Sequence, residues 1–216
     1  MRKFFAAAVM LLAAGRTIAA AQETEIQESK NQVAVTIGRT FISDQGVPNT
    51  NFFDNTVHFG KGLSFEGNYA RRMRRYFWGD LAVEVPVIFN PDEDLNYGMN
   101  QIPLHYSSLF ITPAARVNFI PNLAFSPWFS FGGGFGHFGA SDKLVFGGPN
   151  PGPRGKTTGV LESGVGIDVR LPKKMGKIRF RFEARDDWSG VPPLNINTGR
   201  TRQHNYYVGG GLVFYF

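Results

Sequence analysis

The chain contains no cysteine. That excludes disulfides and a lipid-anchored N-terminal cysteine. No stretch approaches 18 consecutive apolar residues, so no transmembrane helix is expected. Excess charge is also scarce. The formal +6 includes Arg2, Lys3 and Arg16, with no acid among the first 21 residues, and the remainder carries only +3. Such a balance is a weak case for nucleic acid. Metal-ligand spacings, phosphate loops and nucleotide motifs are missing too, so no metal or cofactor is expected. Gly132-Gly133-Gly134 lies in an alternating stretch and reads as close packing between strands, not as a phosphate cradle.

Glycine and phenylalanine are plentiful, at 26 and 21 residues. The first residues have the layout of an export signal. Met1-Arg2-Lys3 is charged, Phe4 to Ala14 is apolar, and Ala19-Ala20-Ala21 offers a small-residue cleavage site. Residues 1–21 are therefore read as a signal peptide and 22–31 as a short polar segment leading into one domain, 32–216.

That domain alternates with a period of two, the signature of half-buried strands. Eight such segments are predicted: 32–42, 57–69, 77–89, 108–119, 124–138, 158–171, 178–188 and 204–216. In each, one face is apolar or aromatic and the other holds glycine, small polar residues and charge. Leu81, Val83, Val85 and Val87 oppose Asp80, Ala82, Glu84 and Pro86; Phe180 and Phe182 oppose Arg179, Arg181 and Glu183. Pro86, Pro113 and Pro127 fall inside these segments and predict bulges or strand ends, since each removes a ladder donor. The connections alternate long and short. Long loops begin at Ser43, Asn90, Gly139 and Ser189; short turns cover Arg71–Arg75, Ile120–Leu123 and Pro172–Lys177.

The last segment is HNYYVGGGLVFYF, with Tyr206, Val208, Leu212, Phe214 and Phe216 on one face. An exposed aromatic edge invites aggregation, whereas a strand that closes a barrel has no edge. The terminal Phe216, with Phe214 and Leu212 before it, resembles the C-terminal assembly signal of bacterial outer-membrane β-barrels. Together with the alternating loop lengths, the pattern over residues 32–216 resembles the small eight-stranded outer-membrane barrels of the OmpA-transmembrane and OmpX type. The fold class this implies is all-β, an eight-stranded antiparallel up-and-down transmembrane barrel. The resemblance further implies an outer-membrane location, contact with outer-membrane lipid and lipopolysaccharide, delivery by the barrel-assembly machinery, and a structural or surface-interaction role for four external loops. The rival architecture is a secreted lipocalin-like carrier with its apolar face inward.

In a membrane barrel the charged face must point into the lumen, because Arg or Lys facing lipid costs about 2–4 kcal/mol at mid-depth. The expected lumen network is Arg116, Arg179, Arg181 and Arg185 with Glu66, Asp80, Glu84, Glu162, Asp168 and Glu183. It reads as a plug; the alternative is a narrow ion path. Two sets, His105-Tyr106-Ser107 and His137 with Ser141 and Asp142, can be drawn as the site of a lipid A-modifying enzyme. Proximity in sequence is not triad geometry, and the expectation is a non-enzymatic protein. The loop ligand is not legible.

Overall fold

The computed structural model describes residues 29–48, 54–121, 123–171 and 177–216. The proposed signal peptide, and the turn lysines Lys173 and Lys174, lie outside the described residues. Eleven strands follow in order: β1 Asn31–Phe41, β2 Gln45–Gly46, β3 Thr56–Phe59, β4 Leu63–Tyr76, β5 Gly79–Asn96, β6 His105–Ile111, β7 Ala114–Phe119, β8 Phe125–Ala140, β9 Gly155–Arg170, β10 Ile178–Gly190 and β11 Arg202–Tyr215.

All pairings are antiparallel, and they close on themselves. β1 pairs β4, β4 pairs β5, and β5 pairs both β6 and β7. Those two pair β8, followed by β9, β10 and β11, and β11 returns to β1. Counting β6 and β7 as one stave interrupted at Thr112-Pro113, the ring has eight staves. Asn31 and Phe216 exchange both backbone hydrogen bonds, each at 3.0 Å, so the closing seam is fully paired. Closure removes the edge that the aromatic terminal segment would otherwise expose.

The apolar face of each stave points outward. Val35, Ile37, Phe65, Val83, Phe131, Val165, Phe182 and Val208 are all exposed, and together they make an apolar belt. Aromatic side chains crowd its two rims. Tyr76, Trp78 and Phe119 gather at the short-turn end. Trp188, His204 and Tyr206 gather at the long-loop end. The opposite faces line a filled interior, as expected for so narrow a ring.

Several boundaries differ from expectation. Arg71–Arg75 is not a turn. β4 continues through Tyr76, and Phe77-Trp78 makes the reversal. A bulge between Arg72 and Arg74 accommodates the extra residue. Asn90–Asn96 is not loop either. β5 runs on to Asn96 through a second bulge between Asn90 and Glu93, where Pro91 and Asp92 both face outward. Beyond it the inward positions are Glu93 and Leu95, so the inward set has slipped by one residue. Of the three prolines only Pro113 interrupts a strand; Pro86 and Pro127 sit in register opposite Asn68 and Ile167. The tight turn at Ile120 is present, with Leu123 N donating to Ile120 O at 3.2 Å and Ile120 held at φ 45°.

Candidate functional site

The interior has three levels, and parity along each strand sets its contents. At the short-turn end lie Asp80, Arg179, Arg72 and Arg75. Asp80 accepts from Arg75 Nε at 2.9 Å and from Nη2 at 3.2 Å, with Arg72 at 3.5 Å. Arg179 donates to Pro121 O at 2.9 Å and lies 5.0 Å from the Tyr215 ring.

The middle level is ionic and buried. Arg181 holds Asp168 by a two-pronged contact, Nε–Oδ1 2.8 Å and Nη2–Oδ2 3.0 Å, the geometry in which a guanidinium matches a carboxylate best. Arg116 reaches Asp168 at 3.1 Å and Glu84 at 3.3 Å. Arg185 is the hub. It contacts Glu162 at 2.8 Å, Glu84 at 3.0 Å, Glu66 at 3.1 Å and Glu183 at 3.2 Å. Glu183 also accepts from Thr36 Oγ1 at 2.8 Å. In the closed ring β10 and β5 stand opposite one another, so the Arg185–Glu84 bridge spans the lumen wall to wall. Each of these side chains is 4 % exposed or less.

Glycine makes room for the long side chains. A Cβ at Gly164 would come within 3.1 Å of Arg185 Nη1, and one at Gly166 would collide with the Trp128 ring. Trp128 is an inward residue that the sequence reading passed over. Its ring stacks beside three guanidiniums, those of Arg116, Arg185 and Arg181, at 4.2, 5.0 and 5.1 Å. Cation–π attraction is largest for a tryptophan shielded from water, as here. The position was available from parity, since it shares a face with Ser126 and Ser130.

The third level, toward the long loops, is apolar. Ile88, Leu95, Tyr97, Ile102, Tyr106, Phe110, Phe138, Val160 and Leu194 form one buried cluster with Val47 and Val57. Tyr106 and Phe110 both meet Phe138 edge-on at 5.7 Å. The loops that supply this cap are tied to one another. Leu104 N donates to Lys143 O at 2.9 Å and Val145 N to Ile102 O at 3.1 Å. Asn195 Nδ2 donates to Asn150 Oδ1 at 2.7 Å. Below the cap Glu93 accepts from Gly62 N at 3.0 Å and Asn90 Nδ2 at 2.7 Å.

Of the residues expected in the lumen, Glu66, Glu84, Arg116, Glu162, Asp168, Arg181, Glu183 and Arg185 lie in contact with one another, and two stand apart. Asp80 belongs to the short-turn level with Arg75, not to the Arg185 cluster. Arg179 bonds a backbone carbonyl instead of an acid. The residues read as an assembly signal lie on the outer face: Leu212 pairs with Val35 and Phe214 with Val33, while Phe214 and Phe216 are exposed.

All four histidines lie toward the long-loop end. Neither set drawn as a triad comes together. His105 bonds Asp92 at 2.8 Å and His137 bonds Thr157 at 2.9 Å. Ser107 Oγ donates to Gly139 O, and Ser141 Oγ accepts from Lys143 N. His58 Nδ1 lies 2.7 Å from Asp44, and His204 2.7 Å from Asp186. The hydrogen bond with Asp44 raises the His58 pKa above its ordinary value, slight burial opposes this, and the Asp44 and Asp54 charges add to it.

No family model matches the chain, and no curated protein matches it in sequence. Solved structures do. Neisserial surface protein A is similar over 86% of this chain and 97% of its own, at 13% identity and a TM-score of 0.55. The outer membrane protein OprG of Pseudomonas aeruginosa covers 87% of this chain and 98% of its own at 10% identity and a TM-score of 0.47. Ail, the attachment invasion locus protein of Yersinia pestis, covers 86% and 99% at 13% identity and a TM-score of 0.41. The ring closure, the outward apolar belt and the first of these likenesses agree on the architecture. The fold is that of the small eight-stranded outer-membrane β-barrels.

Proposed function

We propose that the chain is an integral outer-membrane protein with a sealed lumen, whose role is structural or surface-interactive and is carried by its long loops. The observation that carries this reading is the Arg185–Glu84 bridge across the ring, 3.0 Å long. It sits inside an apolar belt, beneath a cap of interlinked loops. A side-chain lattice that joins opposite walls leaves no straight ion path, which speaks against a pore. A carrier would need an apolar cavity within the staves and a polar exterior, the inverse of this arrangement. Ordered loops on a rigid barrel are suited to presenting a fixed surface. Outer-membrane phospholipid and lipopolysaccharide would be the partners of the belt. On this reading the short turns face the periplasm, residues 1–21 are removed on export, and Leu212, Phe214 and Phe216 are read by the barrel-assembly machinery. No catalytic role is assigned.

The test joins fractionation to conductance. The protein should partition with outer membranes, migrate differently on gels before and after boiling, and give no steady channels in planar bilayers. Recovery in the aqueous periplasmic fraction, or stable unitary conductance, would overturn the reading. Deleting Phe216 should lower the folded amount while leaving export intact.

A further inference from the structure

We propose that the short-turn mouth of the barrel is a binding site for a phosphate-type oxyanion, either free or on a lipid headgroup. The mouth encloses a cavity of about 40 Å³ lined by Lys30, Arg72, Arg75, Arg170 and Arg179, with Asp80 the one carboxylate among its lining residues. By volume it holds about three water-sized groups. It opens at the barrel end, so a larger ligand can insert one oxyanion group and leave the rest outside.

The local backbone builds this concentration of charge. The β4 bulge places Met73 and Arg74 on the outside and turns Arg72 and Arg75 toward the mouth. Arg179 faces inward at the start of β10. Asp80 is already engaged by both oxygens with Arg75. The next carboxylate up the lumen, Asp168, is held by Arg181, Arg116 and the Tyr215 hydroxyl.

Arg179 carries the argument furthest. It is 1% exposed, yet its only side-chain hydrogen bond among the described residues goes from Nη2 to the Pro121 carbonyl. Its Nε has no partner there. A buried guanidinium, always charged and with donors to spare, is stabilised by an anion that accepts from it. The shared requirement is a compact, multiply accepting oxyanion. The inference goes beyond the functional reading, and a folded barrel that fails to bind phosphate would overturn it alone.

The experiment uses the full chain refolded in a non-ionic detergent, with folding checked first by gel mobility before and after boiling. Inorganic phosphate is titrated at constant ionic strength and followed by 31P NMR line width and by the unfolding midpoint. Saturable binding is expected. Arg179→Gln should weaken it about tenfold or more, the loss of one charge-assisted hydrogen bond. Arg75→Gln serves if Arg179→Gln does not fold. Asp80→Asn removes the competing carboxylate and should tighten binding severalfold, and Lys156→Gln at the opposite end should leave it unchanged. Nanodiscs distinguish the sources. Weaker phosphate binding in phosphatidylglycerol discs than in the phosphate-free non-ionic detergent identifies a headgroup as the occupant, and equal binding identifies a free anion. Absence of saturable binding overturns the proposal. So does an affinity unaltered in both arginine variants, or an equal loss in Asp80→Asn.

Discussion

Within the apolar belt the interior is ionic; above it the interior is apolar. The two regions are built from the same staves. On β5, Asp80 and Glu84 face inward within the belt, while Leu95 faces inward and Asp94 outward above it. On β8 the inward residues change from Trp128 and Ser130 to Phe138, with His137 outward. On the proposed outer-membrane reading the belt is surrounded by hydrocarbon, so apolar side chains there gain little by turning inward and polar ones cannot turn outward. Above it the surroundings are water, and burial of Ile102, Leu194 and Phe138 contributes in the ordinary way, about 25 cal/mol per Å². One chain thus follows two packing rules, with the β5 bulge at Pro91-Asp92 lying near the change.

The contrast can be broken most severely at Arg185. Arg185→Leu strands Glu66, Glu84, Glu162 and Glu183 without their common cation, at a cost of about 3–5 kcal/mol. Urea unfolding in detergent, followed by tryptophan fluorescence, should show it. A neutral outcome would mean that water, and not Arg185, compensates the acids. The next test puts one charge into each exterior. Phe182→Arg, on the belt, should cost about 2–4 kcal/mol. Asp94→Arg, on the outside above it, should stay within about 0.5 kcal/mol. Equal costs at the two sites would erase the boundary.

Ile102→Ala should destabilise the cap by about 2–3 kcal/mol. It is fully buried in the apolar cluster. Hydrogen exchange should quicken in the long loops and remain slow at Arg181 and Glu183; faster exchange in both would show one cooperative core instead of two. The smallest effect belongs to His58. Its pKa is raised in the folded protein, chiefly by Asp44. The stabilisation is therefore present below the unfolded value of about 6.5 and is lost as pH rises through the folded one. The ring is nearly half exposed, which limits this to less than about 1 kcal/mol. NMR titration should place the midpoint above that of an unfolded peptide, and Asp44→Asn should bring it back.

Much of this was legible in the residues. The period of two gave the eight staves, the inward phase of Glu66, Glu84, Arg181 and Arg185, and the alternation of long and short connections. What escaped was whatever breaks the period. Pro91-Asp92 shifts parity by one, so Glu93 and Leu95 read as loop although they lie on β5. Arg71–Arg75 looked like a turn because clustered charge resembles one; the bulge keeps it in the ladder. The apolar cap draws Ile102 and Leu194 from connections with no periodicity, and only the three-dimensional meeting of the loops makes them a core. Pairings such as Arg185 with Glu66 join residues far apart in sequence, where composition and phase name the candidates but not the partners.

The seam between β1 and β11 has a kinetic consequence. The earliest strand of the ring is completed by the last, so no shorter intermediate has all its backbone groups satisfied. Any nascent or truncated chain displays two open strand edges. Ring closure carries the entropy of a very long loop, which makes spontaneous folding slow. Such a chain has to be kept unfolded and soluble until its final strand arrives.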